Sequence, residues 1–218
     1  MAGSEWLHTT PIQPIVSDFV IHIPSGPSSA DELGTIAATF QSVFPAGQSK
    51  ILDLNGARLL LLGRSGTEEP MQVYSDARGA IVIKGLIFNS QSSQPVVEPA
   101  FLLREFVESG KLDRDRYEGT FVLAIWNARD GRALLANDHA ALLHAYYGEF
   151  SSGFYASTWA LPVARALRLQ LNPDAVRDFL ARGALMAPDT MFRGIKRLNI
   201  GEQLFASPGK TTVQRYWL

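Results

Sequence analysis

The sequence predicts an α+β fold in which two packed antiparallel sheets are covered by helices. First, 218 residues with 46% hydrophobic and 19% charged side chains are enough to bury a substantial core. Second, strand-like runs are short, closely spaced and separated by turn residues, which is typical of antiparallel pairing. Third, both arms of the clearest hairpin, residues 120–127 and 132–137, are almost wholly apolar. Such arms suit strands that are covered on both faces. Two sheets packed together with helices outside accommodate all three observations.

The N-terminal part is predicted to contain a polar arm, a strand and a helix. Residues 1–15 are polar and contain prolines, so we expect an arm that precedes a single domain over residues 16–218. Residues 16–23 read as the first strand. Ser29 and Glu32 have the spacing of a capping box, which predicts the start of a helix. Its apolar residues recur at helical spacing and are Leu33, Ile36, Ala37, Phe40, Val43 and Phe44.

The middle of the chain predicts four strands and a second helix. The helix spans residues 98–109, with Pro99 in its first turn and Gly110 as its C-cap. The strands are expected at residues 50–54, 58–62, 71–74 and 80–88.

The C-terminal half continues the same alternation of hairpins and helices. Asn172 and Gly183 are the expected caps of a helix that starts with a proline. The other expected elements are the hairpin 120–127/132–137, a hairpin joining 145–147 to 154–156, a helix at 161–167, and strands at 203–206 and 212–216.

Composition and motifs exclude several classes of function. Twenty basic and 21 acidic residues give a net charge of -1, which argues against a nucleic-acid-binding face. The sequence has no apolar run of about 18 residues for a membrane span and no secretory signal, so a cytoplasmic location is the default expectation. The absence of cysteine excludes disulfides, thiolate metal sites and a cysteine nucleophile. The four histidines lack zinc-ligand spacing, so we predict neither a metal nor a cofactor.

The second half of the chain carries a family pattern. Segments 117–127 (YEGTFVLAIWN) and 134–138 (LLAND) are followed by further matching segments in the same order. Those further segments are Tyr146-Tyr147, 154–157, 161–167, 172–183, 190–198 and 215–217. Together they resemble class II glutamine amidotransferase domains, especially the N-terminal half of glutamine-dependent asparagine synthetases. The first half resembles them more loosely, through 58–62, Pro70-Met71 and 84–89. The resemblance implies the four-layer αββα sandwich of N-terminal-nucleophile hydrolases.

The resemblance also implies where the family's functional groups would lie. Such enzymes use an N-terminal cysteine whose own α-amine is the base. Asp18 aligns with that cysteine, and Lys84-Gly85 aligns with the Asn-Gly pair of the oxyanion hole, which leaves only the backbone half. Arg58 and Glu98 align with the groups that hold the α-carboxylate and the α-amine of glutamine. Nucleophile, free N-terminus and the side-chain half of the oxyanion hole are all missing, so we predict no catalytic residues and no glutaminase activity.

The leading hypothesis is a non-catalytic amidotransferase-like domain. The ATP-binding Ser-Gly-Gly-x-Asp-Ser loop of a synthetase is absent from this sequence. β-Lactam synthetases and lasso-peptide cyclases resemble asparagine synthetases and retain such a silent domain. We therefore expect a scaffold or subunit for an ATP-dependent amide-forming synthetase in natural-product biosynthesis, the partner being a separate protein or a C-terminal domain. One alternative is an amidohydrolase activated by autocleavage at Thr9, Thr10 or Ser17. The other is a module that binds a small amino acid through Arg58 and Glu98.

Overall fold

The computed structural model describes residues 16–26, 31–64, 71–92 and 96–217. Within these residues the helices are α1 (Glu32–Val43), α2 (Pro99–Ser109), α3 (Ala160–Ala166) and α4 (Pro173–Arg182). The strands are β1 (Val16–Pro24), β2 (Gln48–Leu54), β3 (Ala57–Gly63), β4 (Met71–Asp76), β5 (Gly79–Asn89), β6 (Tyr117–Asn127), β7 (Arg132–Asn137), β8 (Tyr146–Phe150), β9 (Gly153–Ser157), β10 (Lys196–Arg197), β11 (Glu202–Ser207) and β12 (Lys210–Arg215).

The strands form two six-stranded antiparallel sheets. The first sheet has the order β10-β8-β9-β1-β3-β2, and the second has the order β12-β11-β7-β6-β5-β4. One apolar cluster fills the space between the sheets, with side chains from β1, β3 and β9 meeting those from β6, β7 and β11. A second cluster joins the outer face of the second sheet to α2, and a third joins the outer face of the first sheet to α1 and α3. The predicted α+β, four-layer αββα sandwich is therefore confirmed.

The apolar hairpin and the glycine caps follow the sequence closely. From Phe121 to Asn127, and from Ala133 to Asn137, every residue of β6 and β7 is buried. Both faces of this hairpin are covered because one side meets the first sheet and the other meets α2. Gly110 and Gly183 end α2 and α4 in the left-handed conformation that glycine adopts without a steric penalty.

The start of α1 differs from the prediction. The helix begins at Glu32, and its N-cap is Asp31, whose side chain accepts a hydrogen bond from the Gly34 amide. The capping box expected from Ser29 and Glu32 is therefore not what opens the helix, because Asp31 supplies a carboxylate two residues closer. Ser29 itself, like the expected arm over residues 1–15, lies outside the described residues. Among the residues described, no helix combines the length and apolar character that crossing a membrane requires.

Candidate functional site

The centre of the candidate site is the carboxylate of Asp18, near the start of β1. Its Oδ1 atom accepts a hydrogen bond from Thr158 Oγ1 at 2.9 Å and pairs with Lys84 Nζ at 3.1 Å. Its Oδ2 atom lies 3.3 Å from Arg64 Nη2 and accepts a hydrogen bond from Ser17 Oγ at 3.3 Å. The side chains of Asp18 and Lys84 are only 6% and 10% exposed, so the pair lies largely out of contact with water.

Strand pairing brings these groups together. Asp18 lies opposite Leu62 of β3, which places Arg64, two residues further on, beside the start of β1. Arg64 Nε donates to Ser17 Oγ at 3.1 Å. On the other side of β1, Thr158 directly follows β9. The Phe19 amide donates to Thr158 Oγ1 at 3.1 Å, and the Thr158 amide donates to the Phe19 carbonyl oxygen at 3.2 Å. Lys84 reaches across from β5, so the ion pair connects the two sheets.

A cavity of about 240 Å³ opens beside this ion pair. One of its walls is the loop after β7, which Asp138 holds in place. Oδ1 of Asp138 accepts hydrogen bonds from the amides of Ala140 and Leu142, at 3.0 and 3.1 Å. Oδ2 accepts longer ones from the amides of Phe121 and Leu143, both at 3.4 Å. The lining residues are Asp18, Arg64, Lys84, Leu142, Leu143, His144, Tyr146, Thr158 and Trp159.

The described lining of the cavity carries more positive than negative charge. Arg64 and Lys84 contribute two cations against the one carboxylate of Asp18. Burial lowers the pKa of His144, and the nearby guanidinium of Arg197 lowers it further, so this imidazole is neutral at neutral pH. Burial also raises the pKa of Tyr146, which keeps its phenol protonated.

The structure brings together some of the predicted site residues and separates others. Asp18 and Lys84 are in contact, whereas their alignment with the nucleophile and the oxyanion-hole pair stays a prediction. Arg58 instead forms ion pairs with Asp53, at 3.1 Å, and with Asp31, at 3.8 Å. On β3 it lies opposite His22, which is four residues after Asp18 on β1. Glu98 is exposed at the N-cap of α2. Neither Arg58 nor Glu98 lines the cavity beside Asp18, so the hypothesis that these two residues bind a small amino acid stays a prediction.

Gly85 is required by the sheet itself. Its φ angle is +95°, and a Cβ atom there would lie 2.0 Å from the backbone oxygen of Thr120 on the neighbouring strand. Any side chain would therefore force β5 and β6 apart. The glycine that aligns with the oxyanion-hole pair has a structural reason to be present, whatever the chemistry nearby.

Sequence reasoning missed most of the cavity lining, including Arg64, Thr158, His144 and Trp159. The order and register of the strands beside β1 would have located two of them, Arg64 and Thr158. Arg64 and Thr158 directly follow the strands that flank β1, so each lies near Asp18 once strand order is known. No group of three or more acidic or histidine side chains that could hold a metal ion exists in the described part of the chain.

Comparison with known proteins identifies the family. The sequence model of the family described as glutamine amidotransferase domain matches residues 46–217 of this chain. The chain belongs to this family. No curated protein matches the amidotransferase domain described here.

Two solved structures share the fold at low sequence identity. One is the glutamine phosphoribosylpyrophosphate (PRPP) amidotransferase from B. subtilis complexed with ADP and GMP, with 11% identity and a TM-score of 0.50. The other is the allosteric regulatory enzyme of purine biosynthesis, with 12% identity and a TM-score of 0.50. Each match covers 92% of this chain and 49% of the other, so the amidotransferase domain spans about half the length of these structures.

Proposed function

We propose that this amidotransferase domain is non-catalytic and serves as a scaffold or subunit for an ATP-dependent, amide-forming synthetase of the asparagine-synthetase type, in natural-product biosynthesis. The observation that carries the proposal is the state of Asp18. This residue stands where the resemblance places the nucleophile, and its carboxylate is buried in contact with four donor groups, from Lys84, Thr158, Arg64 and Ser17.

A carboxylate in this setting is unsuited to attack an amide. Catalysis in this family requires a thiol or hydroxyl nucleophile whose own α-amine takes up the proton. The main-chain nitrogen of Asp18 is bonded to Ser17 within β1, so it is an amide and cannot act as a base. The neighbouring Lys84 stands where the family places a neutral donor for the oxyanion, and it forms an ion pair with Asp18. These features support a domain that is retained for its structure.

Exposed apolar side chains on and after α4 support a role in docking. Phe179 and Leu180 are 42% and 78% exposed, and Met186 is 68% exposed. Phe179 and Leu180 are adjacent in the sequence and Met186 follows six residues after Leu180, and contiguous exposed apolar surface is typical of interaction sites. We propose that the synthetase partner covers this end of α4.

The absence of glutaminase chemistry is tested with the purified chain and the variant Asp18→Cys. We expect no ammonia release from glutamine by either protein, because the variant restores a thiol without its free α-amine. Glutamine hydrolysis by the unmodified chain would overturn the proposal. Intact-mass measurement completes the test, since a species starting at Thr9, Thr10 or Ser17 would favour the autocleavage alternative.

The scaffold role is tested by co-expression with synthetase-domain proteins of the asparagine-synthetase type. We expect one of them to co-elute with the domain. The double variant Phe179→Lys/Leu180→Lys should abolish co-elution, whereas Val43→Lys should not, because Val43 is an apolar residue on α1 whose exposure of 40% is close to the 42% of Phe179. A monodisperse domain that binds none of these proteins would contradict the scaffold role.

A further inference from the structure

A second cavity, with a volume of about 220 Å³, adjoins the one beside Asp18. The two cavities share the side chains of Tyr146 and Trp159. The lining of the second cavity combines one acidic side chain, one basic side chain and several large apolar ones. The charged residues are Asp189 and Arg197, and the apolar part includes Trp159, Leu161, Leu185, Met191 and Phe192.

Asp189 and Arg197 lie close together along the main chain, yet their side chains do not pair with each other. The Arg197 amide donates a hydrogen bond to the carbonyl oxygen of Pro188 at 2.8 Å, and Asp189 is the next residue. Within the described part of the chain, the Asp189 carboxylate has no hydrogen bond or ion pair. The Arg197 guanidinium donates from Nη2 to the Leu185 carbonyl oxygen at 3.0 Å, and its other nitrogens make no hydrogen bond to the described residues. Both charged groups are therefore available to a ligand.

The hydroxyl groups of the lining already have partners. The Thr190 hydroxyl donates to the carbonyl oxygen of Ile195 at 2.8 Å and accepts from the Phe192 amide at 3.2 Å. The Tyr146 hydroxyl lies 3.4 Å from Nδ1 of His144. Recognition of a charged ligand in this cavity therefore falls to the carboxylate and the guanidinium.

The apolar part of the lining favours a hydrophobic group of about the size of a benzene ring. An apolar cavity of about 150 Å³ can take up benzene. The second cavity is larger than that, which leaves room for a short polar group beside the ring. Trp159 and Phe192 offer large apolar surfaces, and a bound group would remove this surface from water. The lining therefore suits a ligand with one apolar body and two opposite charges.

We propose that the second cavity binds a free α-amino acid with a large apolar side chain, its carboxylate at Arg197, its ammonium group at Asp189 and its side chain against the two aromatic rings. Such a zwitterion pairs with both charges of the lining and leaves the total charge unchanged. Glutamine suits this cavity less well, because its side-chain amide would lie against apolar groups without a hydrogen-bond partner.

This site differs from the one that the family resemblance implies for an amino acid, because neither Arg58 nor Glu98 lines the second cavity. The proposal does not depend on the scaffold role, since a domain that binds such a ligand is compatible with any partner. The two proposals therefore fail separately, one by the absence of a partner and the other by the absence of a ligand.

The test compares L-phenylalanine with two analogues that each lack one charge. L-Phenylalanine at about 10 mM should raise the thermal midpoint of the full chain at neutral pH, since a ligand that binds only the folded state stabilises it. By calorimetry, 3-phenylpropionate, which lacks the ammonium group, and 2-phenylethylamine, which lacks the carboxylate, should each bind at least about tenfold more weakly. Glutamine should also bind at least about tenfold more weakly. Equal binding of phenylalanine and either analogue would overturn the proposal, as would no binding of phenylalanine.

Variants of the two charged residues locate the binding site. Asp189→Asn should weaken phenylalanine binding by about tenfold without weakening that of 3-phenylpropionate, which has no ammonium group. Arg197→Gln should weaken phenylalanine binding by a similar factor without weakening that of 2-phenylethylamine. Asp178→Asn is the matched control, because Asp178 is an exposed carboxylate on α4 outside the lining. Unchanged phenylalanine binding by Asp189→Asn or Arg197→Gln would overturn the proposal. The comparison of ligands on the unmodified chain decides the matter even if a variant fails to fold.

Discussion

Two buried aspartates, one in the lining of the cavity and one that holds the loop forming its wall, are held in different ways. Within the described part of the chain, the Asp138 carboxylate accepts hydrogen bonds only from main-chain amides, among them those of Ala140 and Leu142 at 3.0 and 3.1 Å. Asp18 contacts side chains, among them Lys84 at 3.1 Å and Arg64 at 3.3 Å. The first carboxylate fixes the path of the chain, whereas the second fixes the positions of other charged groups.

The two aspartates also differ in how they relate to the family resemblance. Asp138 ends the segment 134–138, which carries the resemblance to amidotransferase domains, and it holds the loop whose residues Leu142 and Leu143 line the cavity. The resemblance aligns Asp18 with the family's nucleophile and Lys84 with the side-chain donor of the oxyanion hole, and these assignments stay predictions. The two side chains contact each other, so the buried carboxylate of Asp18 is paired with a cation.

Removal of the Asp138 carboxylate is expected to have the largest effect. Asp138→Ala leaves four main-chain amides without their acceptor, two of them within 3.1 Å, and buried donors without partners are costly. We expect a loss of about 4 kcal/mol in the free energy of unfolding, measured with urea. Asp130→Ala is the control, because Asp130 also accepts from a main-chain amide but lies in an exposed hairpin turn. It should cost less than about 1 kcal/mol, and equal costs would contradict the role given to Asp138.

Removal of one partner of the ion pair should have the next largest effect. Lys84→Met leaves the buried Asp18 carboxylate with Arg64 as its remaining cation among the contacts described. We expect a loss of about 3 kcal/mol, near the lower end for a broken buried pair. The double variant Asp18→Asn/Lys84→Met should be more stable than the sum of the single effects predicts, with a coupling of about 2 kcal/mol. Strict additivity would show that the two side chains do not stabilise one another.

Local patterns predicted the elements of the fold well, because short-range physics determines them. The apolar runs of β6 and β7 and the glycines after α2 and α4 act within a few residues of chain. The start of α1 was misplaced because Ser29 and Asp31 are both good N-cap residues, and the sequence does not show which one the chain uses.

The site was predicted only where the family pattern supplied long-range information. Asp18 and Lys84 were found by alignment, whereas Arg64 and Thr158 lie 46 and 140 positions from Asp18 and meet it only through strand order. Periodicity carries no information about which strands become neighbours. Arg58 was aligned with the group that holds the α-carboxylate of glutamine; in the structure it pairs with Asp53 and Asp31, and its proposed role stays a prediction.

His22, further along β1, is a third buried ionisable group. Among the described residues its ring has a single hydrogen-bond partner, whereas each of the two aspartates has several. His22 is 1% exposed and stacks on Tyr155 with ring centroids 4.3 Å apart. Its Nε2 lies 3.2 Å from the carbonyl oxygen of Ser152, while its Nδ1 has no hydrogen-bond partner among the described residues. Burial lowers the pKa of His22, and the hydrogen bond with the Ser152 carbonyl and the field of Glu32 oppose this shift only in part.

The pH dependence of stability should therefore reveal His22 as the smallest of the three effects. Below the ordinary histidine pKa of about 6.5, the unfolded chain binds a proton that folded His22 resists, so the free energy of unfolding falls as pH falls. His22→Phe keeps an aromatic ring against Tyr155 and removes the titration, so its stability should decline less than that of the unmodified chain between about pH 7.5 and 5.5. His144, whose pKa burial also lowers, titrates in both proteins and cancels in the difference. Parallel urea-midpoint curves for the two proteins would show that folded His22 accepts a proton as readily as an unfolded histidine. In that case burial would not be lowering the pKa of His22 in the folded protein.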